Sequence, residues 1–221
     1  MRDFAELATV VDHLVPSAPP IDPALVARLR RSLGGAPLPA EESDSRARDA
    51  QFELYVAAVC RQAGVSVELA EPDAIVTTAG VRFGVAAKRV RSPNKVVVRV
   101  KEAGPGPRDR TPWHSRAEPR WAARPPFAHI AAGSVEALRQ APRELLRVTL
   151  ERHKTPILAG ARGTRLVALL ASLVVPGMVQ PGNLVGRVAA MSVEIIATPT
   201  LREERALREL AEHLAGRPPL V

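Results

Sequence analysis

Aromatic side chains are nearly missing from this chain of 221 residues, which holds four Phe, two Trp and one Tyr. Its core must therefore be built from Ala, Val and Leu. Cysteine is as scarce. Cys60 stands alone, which excludes an intramolecular disulfide and excludes a metal site made of thiolates. Lysine is confined to Lys88, Lys95, Lys101 and Lys154, so most of the basic count is arginine. Long apolar runs are also lacking. The most apolar stretch, 166–175, falls well short of the ~20 residues that a spanning helix needs. The first fifteen residues mix Asp3, Glu6, Asp12 and His13 among apolar neighbours, unlike the basic start and clean apolar run of a secretory signal. A cytoplasmic protein with no membrane partner is the expectation.

What is present is ordinary in kind and basic in balance. Apolar residues make up 46% and charged residues 24%, as in a globular protein. The length suits one sizeable domain, or a domain with an added subdomain. The formal net charge is +8, with a pI of about 10.8. Such a charge favours polyanions, because a protein that neutralises phosphates releases their counterions. Abundant Arg, Ala and Pro are also what the codon bias of a GC-rich genome supplies. Charge alone therefore leaves both readings open.

Residues 1–40 read as a helical extension. Asp22-Pro23 is an N-cap and first-turn pair, Leu25, Leu29 and Leu33 recur at helical spacing, and Gly34-Gly35 stops the helix. A polar linker follows. From Asp49 to Ala63 the spacing predicts a helix with Phe52, Val56, Val59 and Ala63 on one face, ended by Gly64. Val65, Val67 and Leu69 alternate with polar residues, as in a strand. Glu71-Pro72-Asp73 interrupts. Ala74–Thr77 and Val81–Val90 read as two further strands joined at Ala79-Gly80. Residues 96–103 begin a helix or extend a strand.

The stretch 104–126 differs in kind. It has no Val, Ile or Leu, it holds both Trp113 and Trp121, and it carries six prolines and five arginines. No helical or strand period survives that much proline, so an irregular basic loop is expected there. Beyond it, Val135–Lys154 reads as a helix with Pro142 as a break or a fresh first turn. Arg165–Val175 and Leu184–Ala197 read as strands with a turn over Pro176–Gly182, and Thr200–Ala215 reads as a terminal helix.

Three residues carry the chemistry. At about 100° per residue, Glu53 falls within the apolar sector of its helix with Val56, Ala57 and Cys60, away from a polar side assigned to Gln51 and Gln62. A carboxylate there needs a partner or a metal. Arg61 on the same helix, or another arginine, is the plain alternative. Asp73 opens one strand, and Lys88 lies near the end of its partner. Alternation puts Ala86 and Lys88 on one face, so Asp73, Ala86 and Lys88 can converge beside Glu53. An Asp and a Lys on neighbouring strands also make an ordinary surface ion pair. The five histidines show no zinc-ligand spacing. Gly160-Ala161-Arg162-Gly163 is a glycine-bearing turn without the lysine and hydroxyl of a phosphate loop.

The segment 45–92, a helix followed by three strands, resembles the PD-(D/E)xK superfamily of metal-dependent nucleases, including the Holliday-junction-resolvase-like members. Glu53, Pro72-Asp73 and the run Phe83-Gly84-Val85-Ala86-Ala87-Lys88-Arg89 carry the likeness. It implies an α/β fold, a restriction-endonuclease-like core with a central mixed sheet flanked by helices and an added N-terminal helical extension. The core would span 45–198 and include the irregular 104–126 segment, with a C-terminal helix and tail at 199–221. It implies a nuclease-like, DNA-binding protein in which Glu53, Asp73 and Lys88 are catalytic. Magnesium, or manganese, would be held by Asp73, Glu53 and the Ala87 carbonyl, while Lys88 would activate the attacking water. Arg89, Arg91 and Lys95 would contact nucleic acid.

The chain departs from that pattern at Ala86, which stands where the second acid belongs and cannot bind a cation. Either Glu53 replaces that ligand from the helix, or the site is weak, or there is none. The alternative is a non-catalytic nucleic-acid-binding module or a degenerate nuclease remnant. The family's fold also calls for a helix and a strand near 104–126, where this composition supports neither. That segment is an insertion or a stretch read out of frame.

Overall fold

The computed structural model describes residues 4–16, 20–35, 46–71, 73–87, 98, 130–162, 167–179, 184–195 and 199–215. In chain order its elements are α1 (Phe4–Leu14), α2 (Pro23–Leu33), α3 (Arg46–Gln62), β1 (Ser66–Glu68), β2 (Ala74–Thr78), β3 (Val81–Val85), β4 (Ile130–Ala132), α4 (Val135–Ala161), β5 (Ala168–Val179), β6 (Leu184–Ile195) and α5 (Leu201–Ala215). The class is mixed α/β, as expected. Among the described residues no helix is long and apolar enough to cross a membrane. The chain divides into two compact units, one of Met1–Arg89 with Pro199–Leu220, the other of Val90–Thr198.

The first unit is organised around α3. Every residue from Leu54 to Cys60 is buried, with α1 and α2 packed on this helix and β1 and β2 also against it. A helix covered on several sides has no single apolar stripe, and the expected polar side is not there. Gln51, assigned to that side, is only 2% exposed. Its Nε2 donates to Glu6 Oε2 of α1 at 2.8 Å, which satisfies an amide that would be costly to bury alone. Asp22 caps α2 as its sequence predicts, accepting from the Ala24 N–H at 2.8 Å. The end of α3 is a Schellman motif. Gly64 takes φ +82°, the Val65 N–H reaches the Cys60 carbonyl at 3.0 Å, and the Gly64 N–H reaches Arg61 at 3.0 Å.

The chain then forms an antiparallel sheet in the order β1-β2-β3. Val67, Val76 and Phe83 face one another across it, as do Ala74 and Val85. Ala74, Val76 and Thr78 are buried on that side, whereas Ser66, Glu68, Arg82 and Gly84 on the other are exposed. The hairpin turn carries φ +45° at Ala79 and +70° at Gly80, the primed geometry that matches strand twist. Helix α5 packs on β2 and β3, with Thr78 Oγ1 bonded to Glu209 at 3.1 Å and Arg202 donating to the Gly80 carbonyl at 3.0 Å.

Strand β3 stops at Val85, short of the expected Val90. The reason lies in its partner. The register pairs Ala74 with Val85, so a continued ladder would set Ala87 opposite residue 72, a proline with no N–H to give. The Ala87 N–H turns instead to the Asp73 side chain.

In the second unit β4 runs parallel to β5, and α4 supplies the crossover that a parallel pair requires. β5 and β6 form an antiparallel hairpin from Ala168↔Ile195 to Val179↔Leu184. Two sequence expectations are corrected here. The helix runs through Pro142 and on to Ala161, past the expected end at Lys154 and into the supposed Gly160 turn, because Ile157, Gly160 and Ala161 are buried. Ile157 and Ala161 pack with Leu150 and Leu169. The turn expected over Pro176–Gly182 begins later, since β5 continues to Val179. Across the hairpin Pro176 stands opposite Arg187 of β6, and the pairing carries on through it to Val179. The short strand β4 was not expected at all, for three residues leave no readable period.

Candidate functional site

Asp73 sits where β2 begins and β3 has just ended. The hairpin register brings the end of β3 back to it, and Asp73 Oδ2 accepts the Ala87 N–H at 2.7 Å. Ala87 is 7% exposed, so this bond satisfies a main-chain donor that water cannot readily reach. On the other side of Asp73, the Arg28 guanidinium of α2 donates to its main-chain carbonyl. The residue is thus held twice, by its side chain to the strand end and by its main chain to a helix.

Glu53 lies on α3, half-buried and engaged with a partner, in the sector that also holds buried Val56, Ala57 and Cys60. Helix α3, which carries Glu53, touches β1 and β2, and Asp73 immediately precedes β2. Burial pushes the Cys60 thiol up to about 12, which keeps it protonated and inert as nucleophile or ligand. Of the expected site, Asp73 and Ala87 are brought together. Lys88, Arg89, Arg91 and Lys95 lie outside the described residues, as do Pro72 and the whole segment 104–126.

A magnesium ion takes oxygen ligands in near-octahedral array, usually carboxylates, waters and substrate phosphates. The donors here do not fit it well. Asp73 Oδ2 is committed to a main-chain N–H, and Ala86 offers only a methyl group. Among the described residues no three His, Cys, Asp or Glu side chains gather as a metal cluster.

Arg28 is the residue that sequence reasoning missed. Its helix was read as a mere extension. The signal was present, since α2 carries Arg28, Arg30 and Arg31 and no acid. Comparison with protein-family models, with curated proteins and with solved structures finds no match for the chain.

Proposed function

We propose that the chain is a nuclease-like, DNA-binding protein built on a restriction-endonuclease-like core, with an impaired metal-dependent phosphodiesterase site. The observation that carries the reading is the Asp73–Ala87 hydrogen bond within a helix-then-three-strand unit. It brings the acid at the start of β2 beside the residue immediately before Lys88, so two chain segments named in the nuclease pattern lie next to each other. The net charge of +8 supports a polyanionic partner. Ala86 supports impairment, because continued register sets it opposite Asp73, where a second carboxylate would share the cation.

A non-catalytic binding module is the second reading, and the same Ala86 favours it. The two separate in one experiment. Wild type and Ala86→Glu are compared in duplex-DNA binding, in magnesium and manganese titration, and in plasmid cleavage. The expected result is salt-sensitive DNA binding by both. Metal binding and cleavage should rise in Ala86→Glu and be lost again on adding Lys88→Ala. A folded Ala86→Glu that takes up no metal overturns the nuclease-site reading. Absence of DNA binding even at low salt removes nucleic acid as the partner.

A further inference from the structure

Helix α2 holds an unusual balance of charge for an exposed helix. Its eleven residues include three arginines and no acid. The carboxylate that directly precedes it in sequence, Asp22, is spent on the cap, where it accepts the Ala24 N–H. Leu25 and Ser32 form the buried stripe, which fixes how the helix is turned against α3. Arg30 and Arg31 are then exposed, and among the described residues no carboxylate lies within ion-pair distance of either. The other exposed helices differ. On α4, Arg147 is paired with Glu144 at 2.6 Å, and on α5, Arg208 is paired with Glu204 at 2.6 Å. Arginines on those faces are partly neutralised by their own helices.

The same α2 is tied to the candidate site. Arg28, three residues before Arg31 and so its neighbour on the helix surface, donates to the Asp73 carbonyl. Arg31 is therefore the helix-surface neighbour of the residue that touches the Asp73 segment, and Arg30 is exposed beside it in sequence, on a helix whose orientation is set by burial. Guanidinium offers a planar fork of donors that suits phosphate oxygens.

We infer that α2 is a phosphate-gripping element: Arg30 and Arg31 contact the backbone of a nucleic acid whose strand passes the Asp73 segment, and Arg28 locks that segment to the helix. This rests on the nucleic-acid reading above and assigns the contact to a helix outside the nuclease-like core. Phosphate contacts of this kind position the duplex and carry no sequence information.

The test uses the full chain and a labelled duplex, with binding read by fluorescence anisotropy over a range of salt. The variant Arg30→Gln with Arg31→Gln removes two exposed charges. The control Arg139→Gln with Arg143→Gln removes the same charge from exposed positions on α4. Loss of two phosphate contacts should lower the slope of log K against log salt by about 1.8, and weaken binding by about 60-fold near 0.1 M salt. The control should change the slope much less. Equal losses in both variants, or an unchanged slope in the α2 variant, overturn the assignment while leaving DNA binding intact. A wild type that binds no duplex overturns the functional reading and this inference with it. Circular dichroism of each variant distinguishes loss of contact from loss of fold.

Discussion

Replacing Asp73 with Ala and with Asn separates the structural part of this residue from its charge. Asp73 Oδ2 accepts the Ala87 N–H at 2.7 Å, and Ala87 is 7% exposed. Alanine removes the acceptor and leaves a main-chain donor buried without it. A bond to a charged group contributes ~1.5–3 kcal/mol, and an orphaned buried donor costs ~1–3 kcal/mol. These overlap rather than add, so Asp73→Ala should lower the unfolding free energy by about 2 kcal/mol. Asparagine keeps an oxygen in nearly the same place and loses only the charge assistance, so Asp73→Asn should cost about 1 kcal/mol or less. The Arg28 contact falls on the main-chain carbonyl and survives both changes. Urea unfolding followed by far-ultraviolet circular dichroism measures the difference, with midpoints compared at equal slope. If the two variants are equally destabilised, or if Asp73→Ala lies within about 0.5 kcal/mol of wild type, the bond does not hold the end of β3 and the reasoning fails.

Three further outcomes follow from local geometry. A Cβ at Gly177 would lie 2.8 Å from Leu138 Cδ1, so Gly177→Ala should destabilise by ~1–3 kcal/mol, and combining it with Leu138→Ala should cost less than the sum; additive unfolding energies would refute this close approach. Ala79 occupies φ +45°, where Asn is better tolerated, so Ala79→Asn should raise the thermal midpoint by a few degrees, about 1 kcal/mol; an unchanged or lower midpoint counts against the turn geometry. At the start of α5 the Thr200 main-chain N–H, and then its hydroxyl, hold Glu203 below the usual carboxylate range. Because the folded value is depressed, that stabilisation is present above the ordinary glutamate range and lost as pH falls through the folded value. Glu203→Gln should therefore flatten the acid limb of a stability–pH profile, and an unaltered acid limb would show that this cap does not contribute.

The local grammar of the chain was readable where short-range chemistry decides. Asp22-Pro23, Gly64 and Ala79-Gly80 each mark the boundary that the structure places there, because caps and primed turns depend on a few adjacent dihedrals. The pairing of β2 with β3 was readable from the same turn. Properties set by distant neighbours were not. Gln51 looks polar on a helical wheel, and only the packing of α1 on α3 buries it against Glu6. The extent of β3 depended on what its partner could donate. β5 runs past Pro176 because its pairing with β6 continues to Val179. At the candidate site, the approach of the end of β3 to Asp73 was legible from strand alternation, which named Ala86 and Lys88, whereas the Ala87 N–H bond to the Asp73 side chain was not. Nor was Arg28, since its contact spans 45 residues of sequence and crosses from one helix to the start of a strand.

The first unit is assembled from the two ends of the described chain, and this has a consequence for how it is made. Ala206, Leu207, Leu210 and Leu214 of α5 are buried in a unit whose other elements are complete by Val85. More than a hundred residues separate the two. At about 5–20 residues per second, a ribosome takes roughly five to twenty seconds to deliver that missing helix. During that interval the β2–β3 hairpin has been synthesised without its cover, while the intervening unit emerges and can close on itself. Of the two units, the one begun earlier is thus the one finished later, and its apolar sheet face waits for α5 while the chain is being synthesised.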